Sequence, residues 1–361
     1  MPGKGKKNLR QRKQQPQQKP SFSNKSESTT DKDVDDDWEL LNHASKNGKK
    51  QKPYTYALLA VVFLVGLLYY LATNNDPINT KQQESDPEQG PQNQEQQWQK
   101  EQGDGFPVAN VIPSYGALVT LPHEITAFTQ GLCFRPNNDS VVYESTGMYN
   151  ESEVRMIDLS NGNVLERRSL PEHYFGEGMT YFPDAKDGSP RFVLLTWREQ
   201  TGFIYDADTL EVVEEFSYKT TTSEGWGITY NPRDDNFIVS DGSAFLHFWD
   251  RNFTETGKVE VKYKNRNMYE SGVPAQPLQL INELEWDDRT GVVLANVYFQ
   301  DMIVAIDPET GYVTTIYDLR SLYTNRHPKA DVFNGIALNS EGEVWVTGKY
   351  WSHLYQVQLE E

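Results

Sequence analysis

Residues 115–361 predict an all-β fold, a five-bladed β-propeller, from a recurring three-part unit, from the spacing of that unit, and from the absence of helical periodicity. From about Tyr115 the chain runs in short Val/Ile/Leu/Tyr segments broken by Asp, Gly, Asn and Pro. No stretch keeps an apolar period of ~3.6 residues over three turns, so strands and tight turns are expected throughout.

Each unit opens on a short strand: Gln130-Gly131-Leu132, Glu177-Gly178-Met179, Trp226-Gly227-Ile228, Glu283-Leu284-Glu285 and Gly335-Ile336-Ala337. A second strand ends in a polar or aromatic turn: VYESTG (142–147), LLTWREQTG (194–202), IVSDGS (238–243), LANVYFQD (294–301) and VWVTGKYW (344–351). A third carries a central Asp before its turn: MIDLSNGNV (156–164), IYDADTLEV (204–212), FWDRNFTET (248–256) and AIDPETGYV (305–313). Counted from Gly131, Gly178, Gly227, Glu283 and Gly335, the openers are 47, 49, 56 and 52 residues apart. That spacing fits a four-stranded blade of ~40–50 residues and fits no helical solenoid. The fifth unit stops at Leu359, too early for a fourth strand, and ALVTLPH (117–123) is available to supply it. Completing the last blade with the first strand closes the ring and protects its edges. The loop after INELE, residues 286–290, reads as longer than its counterparts.

Three segments precede the propeller. Residues 1–53 form a Lys/Gln/Ser-rich arm with an acidic run at 33–39, and residues 76–114 form a Gln/Glu/Pro-rich linker. Residues 1–53 and 76–104 read as disordered, because they lack the apolar content that offsets the entropy of ordering. Between them, residues 54–75 contain no charged side chain. As a helix this stretch would cover ~33 Å, enough for a hydrocarbon core of ~30 Å. Tyr54 and Tyr56 mark one end and Tyr69 and Tyr70 the other, where amphipathic rings favour the interfaces. An apolar run beginning this far from residue 1 reads as a signal anchor and not as a cleaved leader. Lys46, Lys49, Lys50 and Lys52 precede it, while Asp76, Glu84, Asp86 and Glu88 follow. The positive-inside rule then places the N-terminus in the cytosol. The expectation is a single-pass type II membrane protein whose C-terminal domain is lumenal or extracellular. Sequons at Asn138, Asn150 and Asn252 agree with that side.

Composition excludes several functions. The chain carries a formal net charge of −18, although residues 1–53 hold 13 Lys/Arg against 7 Asp/Glu. The folded part is therefore strongly acidic, which disfavours nucleic acid as a partner. Cys133 is the single cysteine, so no intrachain disulfide is available and burial alone must hold the fold. The six histidines show no zinc-binding spacing.

In a propeller the first strand of every blade lines the channel, so the openers converge at one mouth. They bring Gln130, Glu177, Glu224, Trp226, Asn282, Glu283 and Asn334 together, joined by Trp197, Lys349 and Trp351 from the second strands. Aromatic walls with a few acids, an amide and a lysine suit a small polar substrate in a half-apolar pocket. Glu177 and Glu224 each sit in a Glu-Gly opener, and spacing alone does not separate them as candidate acid/base groups.

Ten segments in order, FTQGL (128–132), YESTG (143–147), FGEGMT (175–180), LTW (195–197), EGWGIT (224–229), SDGS (240–243), INELE (281–285), ANV (295–297), NGIA (334–337) and VTGKYW (346–351), closely resemble the plant and bacterial type of glutaminyl-peptide cyclotransferase. That family is built on five-bladed propellers and is unrelated to the zinc-dependent animal enzyme. The resemblance covers about residues 115–359, with every blade represented. It implies that peptides and proteins beginning with Gln are the partners, and that their N-terminal Gln is cyclised to pyroglutamate with release of ammonia. It implies Glu177 as general acid/base, with Asn282 and Lys349 hydrogen-bonding the substrate amide and the developing oxyanion. Gln130 matches a position that contacts the substrate backbone, and Phe128, Phe175, Trp197 and Trp226 match the aromatic walls. Where the family often reads Ala-Asn-(Val/Ile)-Trp, this chain has Tyr298, which retains a ring and makes that wall smaller and more polar. No cofactor is required and no metal ligand is expected. A structural calcium would rest on backbone carbonyls of the openers, since no Asp-rich loop calls for one. Two other classes remain at this point: a non-catalytic lumenal propeller that binds peptides or glycans, and a calcium-dependent lactonase-like or strictosidine-synthase-like propeller, whose six blades and acidic metal ligands stand against the count of five units here.

Overall fold

The computed structural model describes residues 107–113 and 116–359. The arm, the candidate membrane span and most of the linker lie outside the described residues. Among the described residues no helix is long and apolar enough to cross a membrane.

The first two strands, β1 (Asn110–Pro113) and β2 (Ala117–Pro122), join blades that are completed much later in the chain. The first blade is β3 (Thr129–Phe134), β4 (Val141–Thr146), β5 (Glu153–Asp158) and β6 (Val164–Ser169). The second is β7 (Gly176–Pro183), β8 (Pro190–Thr196), β9 (Thr201–Asp206) and β10 (Val212–Ser217). The third is β11 (Ile228–Asn231), β12 (Asn236–Val239), β13 (Phe245–Trp249) and β14 (Glu255–Glu260). After a two-stranded ribbon of β15 (Lys262–Tyr263) and β16 (Gln276–Pro277), which flanks the short helix α1 (Arg266–Glu270), the fourth blade follows. It comprises β17 (Ile281–Asp287), β18 (Val292–Val297), β19 (Met302–Ile306) and β20 (Val313–Asp318). The fifth has β21 (Phe333–Leu338), β22 (Val344–Gly348) and β23 (His353–Val357) from the C-terminal end.

The expected closure is present. β2 pairs antiparallel with β23, Leu121 opposite Leu354, and becomes the outermost strand of the fifth blade. Two features differ from the sequence reading. β1, inside the stretch read as linker, adds a parallel outer strand to the fourth blade, Val111 opposite Ile316. Four residues on an exposed edge carry too little alternation to stand out as a strand. The extra length before the fourth opener is the ribbon and helix at 262–277, whereas the turn after INELE is tight: β17 continues to Asp287, and Gly291 N–H donates to the Asp287 carbonyl at 2.7 Å.

The sequence explains the strand layers. Middle strands such as β8 and β12 are near-continuous apolar runs because neighbouring blades cover both faces. The outermost β6, VLERRS, alternates between half-buried and exposed. The recurrent Asp works at the turn between the third and fourth strands. Its carboxylate accepts the N–H two residues on, at Asp158 to Ser160 (2.8 Å), Asp206 to Asp208 (3.1 Å), Asp250 to Asn252 (2.8 Å) and Asp307 to Glu309 (2.9 Å). The apolar core is a set of inter-blade layers. Tyr143, Met179 and Phe192 join the first two blades, and Leu132, Val142, Ala337 and Trp345 join the last blade to the first. A blade alone would expose both of its faces.

Candidate active site

Four inner strands lose register with their partners at the same level. The shifts fall between Thr129 and Gly131, Gly176 and Met179, Ile281 and Leu284, and Phe333 and Ile336. A bulge releases a residue from the ladder and re-aims its side chain. The residues within these shifts include Gln130, Glu177, Asn282 and Asn334. In the third blade Trp226 and Gly227 lie just before β11 and are held by Trp226 N–H to the Ser240 carbonyl and Ser240 N–H to the Gly227 carbonyl, each 3.0 Å.

The opener glycines explain how five inner strands approach so closely. A Cβ on Gly178 would lie 2.6 Å from the Trp226 carbonyl oxygen, and one on Gly227 would overlap the Asn282 carbonyl. The fourth opener has a glutamate at this position instead. Glu283 turns into the channel, where its carboxylate accepts N–H bonds from Leu132 (3.4 Å) and Ile336 (2.9 Å).

At the mouth lies a cavity of about 260 Å³. All nine residues expected at the site line it: Glu177, Asn282 and Lys349, together with Gln130, Phe128, Phe175, Trp197, Trp226 and Tyr298. Met148 joins them. It follows the YESTG turn with φ of 93°, and nothing in the sequence marked it. Glu224, Glu283, Asn334 and Trp351 are not in the lining. Glu224 lies behind Trp226, accepting its indole N–H at 2.9 Å and pairing with Arg198 at 3.0 Å. Asn334 instead supports Gln130, donating to the Thr129 carbonyl (3.1 Å) and to the Gln130 side-chain oxygen (3.4 Å). Trp351 is core, stacked on Phe333, with its N–H on the Asp331 carbonyl.

Two aromatic groups form the walls. Phe175 meets Phe128 edge-on at 5.9 Å between centroids and Trp197 at 5.6 Å, while Trp226 meets Tyr298 at 5.7 Å. The Lys349 ammonium lies 4.5 Å from the Phe128 centroid and 4.9 Å from that of Tyr298, a placement favoured by the negative ring faces. Gly242, at φ 78°, lies against the Trp226 ring, where a Cβ would sit 2.6 Å from the indole.

Glu177 is 5% exposed and accepts the Gln130 amide N–H at 3.0 Å. Burial pushes its carboxyl well above the ordinary range; the Lys349 charge opposes this, and Glu224 and Glu199 add to it. Burial lowers Lys349 to about 8, against the attraction of Glu177 and Asp331. The site thus holds a carboxyl group that burial shifts upward and an amine that burial shifts downward, the direction in which acid/base groups are tuned. Among the described residues, no group of three or more His, Cys, Asp or Glu side chains could hold a metal ion.

Residues 94–359 match the family described as glutamine cyclotransferase. The chain is 32% identical over 270 residues to the glutaminyl-peptide cyclotransferase of Arabidopsis thaliana, covering 73% of this chain and 77% of the relative. It also superposes on the crystal structure of Myxococcus xanthus glutaminyl cyclase with a TM-score of 0.57 at 31% identity, covering 70% of this chain and 98% of the other. With the five-blade ring and the convergent mouth residues already in place, these matches establish that the chain belongs to the glutamine cyclotransferase family.

Proposed function

We propose that this chain cyclises the N-terminal glutamine of peptides and proteins, an intramolecular acyl transfer, with Glu177 carrying the proton. The observation that carries this reading is a buried carboxyl of raised pKa inside the cavity of about 260 Å³, 3.0 Å from the Gln130 amide and influenced by the Lys349 charge. The substrate's neutral α-amine attacks its own side-chain carboxamide carbon. The new C–N bond closes a five-membered lactam, and the old C–N bond breaks to release ammonia. The attacking nitrogen sheds one proton and the leaving nitrogen needs one, so a single carboxyl group can carry it across. Lys349 and the Asn282 amide donate to the oxyanion that develops on the carboxamide oxygen. The aromatic walls hold the flexible side chain folded toward attack geometry. In this reading the enzyme needs no cofactor.

The natural test is incubation of the purified protein with a Gln-initiated peptide. One ammonia released per peptide, with loss of the reactive N-terminal amine, is the expected result. An unchanged peptide would exclude the reading.

We further propose that residues 54–75 anchor the chain as a type II membrane protein with the propeller outside the cytosol. The charge asymmetry around residues 54–75 supports this, as does the exposure of sequon residues Asn150 and Asn252. In a eukaryotic host, glycan on Asn150 or Asn252 is expected, with none on Asn24, which stands in a sequon (Asn24-Lys25-Ser26) of the N-terminal arm. Glycan on Asn24 would invert the topology.

A further inference from the structure

The bulges that release Glu177 and Asn282 take their peptide groups out of register with the neighbouring strand. Both carbonyls find the same substitute. The Ser145 hydroxyl, on β4 of the first blade, donates to the Glu177 carbonyl of the second blade at 2.6 Å. The Ser240 hydroxyl, just after β12 of the third blade, donates to the Asn282 carbonyl of the fourth at 2.6 Å and accepts the Gly227 N–H at 2.8 Å. Both serines are fully buried. The following peptide, Gly178 N–H, donates to the Trp226 carbonyl at 2.7 Å. The Glu177 backbone is therefore gripped from the blades on either side. A buried carbonyl is costly to leave without a donor, so loss of the hydroxyl would shift the peptide that aims the carboxyl.

We propose that Ser145 and Ser240 are positioning residues, Ser145 acting through Glu177 and Ser240 through Asn282. This rests on the reading of Glu177 as the acid/base group. The YESTG and SDGS segments then serve the chemistry of the next blade as well as their own turns. Ser145 lies near the end of the first blade's second strand and Ser240 just after that of the third, so the same device is used twice around the ring.

The test is steady-state kinetics of the full chain with a Gln-initiated peptide, each serine being removed in the wild-type background and in that of its partner. Ser145→Ala should lower kcat by about 10- to 100-fold, the scale of a small misplacement of a reacting group. It should leave KM largely unchanged and move the acidic limb of the kcat–pH profile. In a Glu177→Gln background its effect should shrink to within about 2-fold, because residues acting through one another are not additive. Ser240→Ala should lose its effect in the same way in an Asn282→Ala background. A full-size effect of either serine in its partner's background would overturn that assignment, as would an unmoved pH limb for Ser145→Ala. If Ser145→Ala does not fold, Ser145→Cys keeps a side chain of similar size with a weak donor and is read in the same way. Near-wild-type activity of Glu177→Gln itself would instead reject the acid/base reading, whatever the serines do.

Discussion

Glu177 and Glu224 share a sequence context, each followed by Gly in an opener, yet their surroundings differ. Glu177 is enclosed in the cavity with Gln130 and Lys349, whereas Glu224 is bound between Arg198 and the Trp226 indole. Burial and partners separate them, and neither is written in a local motif. Lys349 makes a second residue-scale prediction. In the proposed reaction its ammonium must stay charged to stabilise the oxyanion, and burial lowers its pKa to about 8. The kcat–pH profile should therefore fall as pH rises through about 8, and Lys349→Arg should move that alkaline limb upward while lowering kcat. A limb at the same pH in Lys349→Arg would assign it to another group. The nine residues that the ordered motifs and the resemblance singled out line one cavity. Met148 was not among them, because an isolated methionine at a turn has no signature before the loop's left-handed backbone is known. Asn334 was legible as a mouth residue, but its role as the support of Gln130 depends on distances that only the fold supplies.

At the scale of the element, the openers were readable because glycine recurs in them, and at Gly131, Gly178 and Gly227 its cause is the close approach of the next blade's backbone. Gly227 shows the tightest constraint, since a Cβ there would overlap the Asn282 carbonyl of the next blade. Gly227→Ala should destabilise the protein by ~1–3 kcal/mol, the usual cost of overpacking. Because the displaced peptide belongs to Asn282, kcat should also fall in the folded fraction. Denaturant unfolding and kinetics at matched folded concentration would check both. An alanine tolerated without cost would mean that the strands can separate there. The central Asp of each third strand was recognised by recurrence, and the structure gives its cause in the turn N–H it accepts. β1 and the 262–277 insertion escaped because neither repeats. The bonds from Ser145 and Ser240 run between blades, so no within-blade pattern reveals them.

At the scale of the whole molecule, the ring is closed by a seam, and the seam is electrostatic as well as hydrogen-bonded. His123, just after β2, donates from Nδ1 to the Trp351 carbonyl (2.9 Å) and from Nε2 to the Glu144 carboxylate (3.0 Å), and Thr129 also donates to Glu144 at 2.6 Å. Burial alone would raise the Glu144 pKa, but the His123 and Arg155 charges outweigh it and bring it to about 2. Burial would lower that of His123, but Glu144 prevails and raises it. The Glu144 contribution is thus complete above its unfolded value of ~4.3 and is lost as pH falls toward 2. The His123 contribution is complete below its unfolded value near ~6.5 and is lost as pH rises through the higher folded value. His123→Ala should destabilise the protein by about 3–5 kcal/mol, as for a broken buried pair. The difference in Tm from wild type should be greatest near pH ~5–6 and shrink on either side. A pH-independent difference would reduce the seam to packing. Closure matters to function because the site exists only where several blades meet: Gln130, Glu177, Trp226, Asn282 and Lys349 come from five different blades. The most direct test of this account is kcat for Glu177→Gln beside Glu224→Gln, after thermal unfolding has shown both to be folded. Glu177→Gln should lose ~10²–10⁴-fold in kcat with a smaller change in KM, while Glu224→Gln stays within about tenfold of wild type. A nearly active Glu177→Gln beside an inactive Glu224→Gln would contradict the account.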